Sequence, residues 1–231
     1  DFFAVSVRDG VLYGYIIDII NRASELVILA IGMTLVVSAS AGTDISVGAI
    51  MAVSAAVCCD LLTGGERAAT EYACPLILGF LAALVIGALI GCFNGVLVAK
   101  LKIQPMVATL IMFTAGRGIA QLITDGQITY VRVESYKVLG SFLPHVPVPT
   151  PFIVAMLMVI LTSLILKKTA LGLYIQSVGI NAKASRLVGI KSTMIVFLTY
   201  AFCGICSGLA GMIASSRIYS ADANNIGLNM E

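Results

Sequence analysis

The sequence contains no tryptophan, one histidine and few charges: only 11% of its 231 residues are Asp, Glu, Lys or Arg. An ordinary soluble domain carries roughly 25%, and a soluble globule with so few charges could not cover its surface. Disorder is excluded as well, because it needs low hydrophobicity and high net charge, whereas 59% of this chain is hydrophobic and the net charge is +2. That small excess gives no electrostatic footprint for nucleic acid. The lone histidine, His145, sits among prolines and reads as a solvated loop residue. There are no paired carboxylates and no Ser-His-Asp set, so an intramembrane enzyme is disfavoured and no catalytic residue is assigned. The six cysteines lie mostly inside or at the ends of apolar runs. Cys203-x-x-Cys206 has no His or second CxxC beside it, so it reads as small packing residues rather than a metal or redox pair. No metal site is assigned.

What the chain does have is long uncharged stretches, and mean hydropathy reaches +1.03. A membrane-crossing helix takes about 20 apolar residues, whereas barrel strands alternate apolar and polar residues. The stretches here are continuous. They predict an all-α polytopic membrane protein with six spans, at 26–43, 45–62, 73–99, 103–124, 151–166 and 192–216, interrupted by a break near Asp44. Orientation follows from the Lys/Arg bias of the loops. Segment 167–191 holds Lys167, Lys168, Lys183, Arg186 and Lys191 and no acid, so it reads as cytoplasmic, as does the short link with Lys100 and Lys102. The loop 125–150 is balanced in charge, and its end "LPHVPVPTP" (143–151) holds four of the six prolines, which reads as a stiff external loop. Alternation then closes without conflict and places residues 1–15 outside. The chain begins at Asp1, shows no signal peptide or basic leader, and reads as a piece of a longer protein.

Four features stand out against the apolar background. The first is the break "SAGTDISVG", where Asp44 and Ser46 lie between two spans. An ionisable residue there costs about 2.5–3.5 kcal/mol on insertion scales and is normally turned inward or paired. It reads either as a polar point on a substrate path or as a capped turn, with Asp44 placed as N-cap of a helix starting near Ile45. The second is a ladder of small residues, Gly79, Ala83, Gly87, Gly91 and Gly95, with Asn94 beside it. A matching stripe follows at Gly204, Ser207, Gly208 and Gly211, and both read as close helix packing. The third is Arg117, inside the fourth span, which must find an acid, carbonyls or water, or snorkel to the interface. The fourth is the basic segment "ALGLYIQSVGINAKASRLVGIKST", suited to anionic lipid or to a partner. Its "GIKST" is not a phosphate loop, because Ile190 separates Gly189 from Lys191. With no Walker motif in the chain, nucleotide-driven transport would need another subunit to bind ATP.

Several blocks, in order, resemble the membrane permease subunits of bacterial sugar ABC importers of the ribose/xylose/galactofuranose group. They are "AIGMTLVVSASAGTDISVGAIMAVSA", "GALIGCFNGVLVAKLKIQPMVATLIMFTAGRGIAQLITDGQ", "LGLYIQSVGINAKASRLVGI" and "GICSGLAGMIASSRIYSADANNIGLNME". "DGVLYGYIIDIINRA", "LKIQPMVATL" and "SADANNIGL" look closest to galactofuranose-type permeases. Ser40-Ala41-Gly42-Thr43 departs from the group's more usual Thr-Gly-Gly-Ile before Asp44, leaving one glycine fewer. Ile180 and Ser185 stand where a second Gly and a second Ala are common.

The resemblance implies a single transmembrane permease domain over 1–231, lacking the first helix and the C-terminal helices, in a bacterial inner membrane. It implies import of a monosaccharide, a pentose or hexofuranose. The partners implied are a cytoplasmic ABC ATPase, a periplasmic or lipid-anchored sugar-binding protein and a second permease subunit, the same or different. No cofactor is expected on this chain, and ATP is used by the partner. Asp44, Ser46, Asn94 and Arg117 are candidates for the substrate path. Gly172, Tyr174, Gly179, Asn181, Ala184 and Gly189, within the cytoplasmic segment 167–191, are candidates for ATPase coupling. Gly87, Gly91, Gly95, Gly204 and Gly208 are candidates for helix packing. The alternative reading is an ion-coupled secondary transporter or a channel-like membrane protein, with Asp44 or Arg117 on the path.

Overall fold

A computed structural model describes residues 6–8, 11–142 and 148–230; His145 lies outside the described residues. The chain forms a helical bundle of α1 (Tyr15–Ser40), α2 (Val47–Thr63), α3 (Leu76–Gly95), α4 (Pro105–Ile123), α5 (Thr150–Lys168), α6 (Ala170–Leu187) and α7 (Ser192–Ile218). A π-helical stretch, Val96–Lys100, continues α3. Five of these helices are long and apolar enough to cross a membrane, and α2 is a shorter apolar helix. At 17 residues, α2 rises roughly 25 Å, less than the ~30 Å hydrocarbon core.

The first span begins earlier than its hydropathy suggests. Helix α1 starts at Tyr15 rather than near residue 26 and carries Asp18, Arg22 and Glu25 in its first turns. Those charges stop an apolar-run reading, but a helix can hold them where they find partners. At its other end α1 stops at Ala41, whose backbone is left-handed (φ 52°, ψ 26°) and whose N–H donates to Val37 O.

Helix α3 shows how residue spacing orients a span. Its small residues Gly79, Ala83, Gly87, Gly91 and Gly95 are buried. Ile77, Leu81, Val85, Leu89 and Phe93, on the same four-residue spacing but two positions away, are exposed. A shift of two residues turns about 200° around a helix. One stripe therefore meets protein, and the other faces outward as lipid-facing residues do. The protein partner is α7, which also packs on α1 and α2 and forms the centre of the bundle. A Cβ added at Gly91 would lie 2.5 Å from Tyr200 O and 3.0 Å from Gly204 Cα, so only glycine permits this approach.

Three connections assigned to the external side meet in one small sheet. Strand β3 (Ala68–Ala69) runs parallel to β4 (Thr129–Val131), and β5 (Ser220–Ala221) pairs antiparallel with β4. Arg67 pairs with Asp125 across two of these connections and donates to Thr124 O at 2.8 Å. A separate two-stranded ribbon pairs β1 (Ser6–Arg8) with β2 (Val11–Tyr13) near the N-terminus. Tyr136, in a 3-10 turn of the 125–150 connection, is buried and fastens that connection to the bundle. Its hydroxyl lies 2.7 Å from Ser215 Oγ and 3.3 Å from Cys59 Sγ.

Candidate functional site

The break between α1 and α2 is a buried polar knot. Asp44 Oδ1 accepts from Ser46 N at 2.9 Å and from Ser46 Oγ at 2.5 Å, and Asn94 Nδ2 donates to Ser46 Oγ at 2.8 Å. Thr109 Oγ1, on α4, accepts from Ile45 N at 3.2 Å. Two spans, α3 and α4, are thereby tied to one non-helical turn, which is how broken backbone is tolerated at membrane depth. Asp44, Ser46 and Asn94 are all fully buried.

The N-cap assignment of Asp44 is corrected. The helix starts at Val47, Ser46 holds the cap position, and no side chain caps it. Asp44 stands two residues further back and takes the Ser46 N–H. A carboxylate reaches a donor two residues on in an Asx turn, so the stretch closes as a turn before the helix begins.

Arg117 finds carbonyls. Its guanidinium donates to Ala223 O at 3.0 Å and to Ile226 O at 2.6 Å, while Gln121 Nε2 donates to Asn224 Oδ1 at 2.6 Å. Its acceptors belong to a segment that follows β5 and turns back into the bundle. There Gly227 (φ 73°) packs on Gly48, and a Cβ would lie 2.7 Å from Gly48 O. Gly48 lies 15 residues before the end of α2, roughly 22 Å along the helix. Free backbone carbonyls at such depth need donors, and Arg117 supplies them.

The substrate-path candidates thus fall in two places. Asp44, Ser46 and Asn94 are brought together, while Arg117 lies apart from them against the re-entrant segment. That segment also walls a cavity of about 380 Å³, bounded by Arg22, Glu25, Met51, Arg217, Asp222 and Asn225. Glu25 is only 2% exposed, and its Oε1 lies 3.1 Å from Arg217 Nη1. Sequence reasoning missed this charged wall because it began the first span at residue 26. A visible signal was the placing of Glu25 and Arg217 at the ends of two apolar runs, each charge needing a partner.

The packing candidates are brought together across one seam. Gly87 and Gly91 face Gly204, Gly95 faces Phe197, and Gly208 faces Gly87 and the carbonyl of Ala83.

The coupling candidates lie on α6. The helix is kinked at Asn181 (φ −156°, ψ 97°), whose Oδ1 accepts from Lys183 N and Ala184 N, both at 3.0 Å, and starts a second short helical piece. Gly179 packs on Ser38 O of α1, and Gly172 packs on the Leu166 backbone. Gly189 (φ 87°) follows the helix end, with Ile190 N donating to Ser185 O at 3.0 Å. Tyr174 and Ala184 are exposed. Ile180, just before the kink, and Leu187 and Val188, beyond it, are 87%, 89% and 76% exposed.

Comparison with known proteins identifies the family. The family model described as "Branched-chain amino acid transport system / permease component" matches residues 15–231. The galactofuranose transporter permease protein of Escherichia coli (strain K12) is 47% identical over all of this chain and 64% of its own length. The fructose import permease protein of Bifidobacterium longum (strain NCC 2705) is 39% identical over all of this chain and 64% of its own length. The ribose import permease protein of Escherichia coli (strain K12) is 35% identical over 88% of this chain and 62% of its own length. The chain therefore spans a little under two thirds of the length of these relatives. No solved structure matches it. A polytopic helical bundle of this kind, matched by the family model over nearly its whole length, belongs to the branched-chain amino acid transport system permease component family.

Proposed function

We propose that this chain is the greater part of the transmembrane permease subunit of an ABC importer that carries a monosaccharide across the inner membrane. The observation that carries the reading is its likeness, from end to end, to permeases named for galactofuranose and fructose. The structure supplies compatible parts. At the inner end, α6 offers exposed Ile180, Leu187 and Val188 beside Lys183, an apolar tip outside the bundle. Exposed apolar side chains beyond the membrane mark a partner surface, and a cytoplasmic ATPase is the partner assigned here. The packing of Gly179 on Ser38 O would pass a push on α6 directly to the end of α1, and the Asp44 knot lies just beyond it. A second permease subunit would cover outward apolar faces of the bundle, and a sugar-binding protein would dock on the external sheet. ATP is bound by the partner and not by this chain.

In this reading Arg117 positions the re-entrant segment. The polar wall formed by Arg22, Glu25, Asp222 and Asn225 suits a polyhydroxylated solute, which needs donors and acceptors side by side. The test is uptake by the full-length permease reconstituted with its ATPase and binding protein. Sugar accumulation that requires ATP, and that stops when Leu187 and Val188 are replaced by Asp, is the expected result. Uptake driven by a proton or sodium gradient without ATP would refute the reading in favour of a secondary transporter.

A further inference from the structure

A cleft of about 740 Å³ opens between the inner end of α3 and the start of α7. Its walls carry three cations, Lys100, Arg186 and Lys191, and its floor is apolar, with Val96, Met194 and Phe197. Among the described residues no acid lines it, and the sequence explains why: residues 72–124 and 135–221 contain no Asp or Glu at all. The cations are thus not neutralised locally. Arg186 is held in place, since its Nε donates to Ser192 Oγ at 2.6 Å, which fixes the guanidinium at the cleft wall. Ser192 and Thr193 begin α7, a 27-residue helix whose N-terminal end favours negative charge. The cleft sits where two spans leave the membrane, at the end that the Lys/Arg excess marks as cytoplasmic.

We propose that this cleft seats an anionic phospholipid of the inner leaflet, its phosphate among Lys100, Arg186 and Lys191 and its upper acyl chains along Val96, Met194 and Phe197. A free phosphate would satisfy the cations but leave the apolar floor uncovered. A zwitterionic lipid would cover the floor, but the ammonium of its own headgroup cancels the charge that its phosphate brings to the three cations. Basic pockets between spans on the cytoplasmic side recognise anionic headgroups in this way, with each nearby cation contributing about 1 kcal/mol, or roughly fivefold in affinity. The π-helical turn at Val96–Lys100 shifts Lys100 relative to a regular helix, so it belongs to the cleft's shape.

The test is native mass spectrometry of the full-length permease, delipidated and then titrated with phosphatidylglycerol or phosphatidylcholine. Preferential retention of phosphatidylglycerol is expected, with a loss of about tenfold or more in the Lys100→Ala/Lys191→Ala variant. Arg186→Lys, which keeps the charge, should retain most of the binding. A control variant, Lys167→Ala/Lys168→Ala, removes two cations elsewhere on the inner end and should bind as the parent does. Equal retention of the two lipids, or undiminished phosphatidylglycerol binding in Lys100→Ala/Lys191→Ala, overturns the proposal. So does displacement of the lipid by inorganic phosphate alone. If the double variant loses its ATPase partner while keeping the lipid, the cleft belongs to that protein contact and the proposal fails.

Discussion

The seam between α3 and α7 makes a quantitative prediction about Gly91→Ala and Gly204→Ala. On Gly91 the new Cβ would lie 2.5 Å from Tyr200 O and 3.0 Å from Gly204 Cα; on Gly204 it would fall against Gly87 O and lie 2.8 Å from Gly91 Cα. Carbon–oxygen contacts settle near 3.3–3.6 Å, so the two helices must part by about 1 Å. Overpacking of this kind costs about 1–3 kcal/mol, against which alanine returns up to about 1 kcal/mol over glycine as a helix former. The net expectation is a loss of about 1–2 kcal/mol for each substitution. Gly118 isolates the helix-former effect, because a Cβ there meets nothing within 4 Å, so Gly118→Ala should gain about 0.5–1 kcal/mol. The double variant Gly91→Ala/Gly204→Ala should cost less than the sum of its parts, since a single displacement relieves both clashes. The assay is sodium dodecyl sulfate titration of the purified full-length protein followed by far-ultraviolet circular dichroism. If the two seam variants are as stable as Gly118→Ala, α3 and α7 do not approach as described and the argument fails. Strict additivity in the double variant would refute the shared-displacement step alone.

Three further outcomes are expected. Ala41 sits in a left-handed conformation that costs an L-residue about 1 kcal/mol and glycine nothing, so Ala41→Gly should raise stability by roughly 0.5–1 kcal/mol in the same titration. Arg217→Met removes the partner of Glu25, which is 2% exposed. It should cost about 3–5 kcal/mol, and adding Glu25→Gln should recover much of that loss; a double variant no more stable than Arg217→Met would show the pair to be uncoupled. Asp44→Ala strips the acceptor from both Ser46 N and Ser46 Oγ and should destabilise by about 1–3 kcal/mol, whereas Asp44→Asn keeps an acceptor there and should fold. Full uptake by Asp44→Asn would assign this residue to holding the break, and lost uptake at normal stability would assign it to the path.

The parts of this fold legible in the sequence are those set by short-range patterns. Continuous apolar runs located the spans because a bilayer-crossing helix must satisfy its own backbone. A four-residue spacing of glycines marked the packing face of α3 because that spacing returns to one side of a helix. The same spacing could not say which helix the face would meet, because partner choice is a long-range fact. The hidden features share that property. Glu25 is tolerated inside α1 because Arg217 answers it from a helix 192 positions along the chain. The re-entrant turn lies deep because Arg117 and Gly48 receive it, although "SADANNIGL" by itself reads as polar loop. The misplaced cap has a local cause: an aspartate before a helix can bond its own turn or the helix's first N–H groups, and here Ser46 draws it to the turn. In a chain with so few charges, each charge inside the bundle requires an identifiable partner. Glu25 meets Arg217, Arg117 meets two carbonyls, and Asp44 meets Ser46. On the inner end the rule breaks, since Lys100, Arg186 and Lys191 line one cleft that offers no acid among the described residues. A set of cations left unanswered where the protein meets the headgroups is the physical reason to seek their counter-charge in the membrane rather than in the protein.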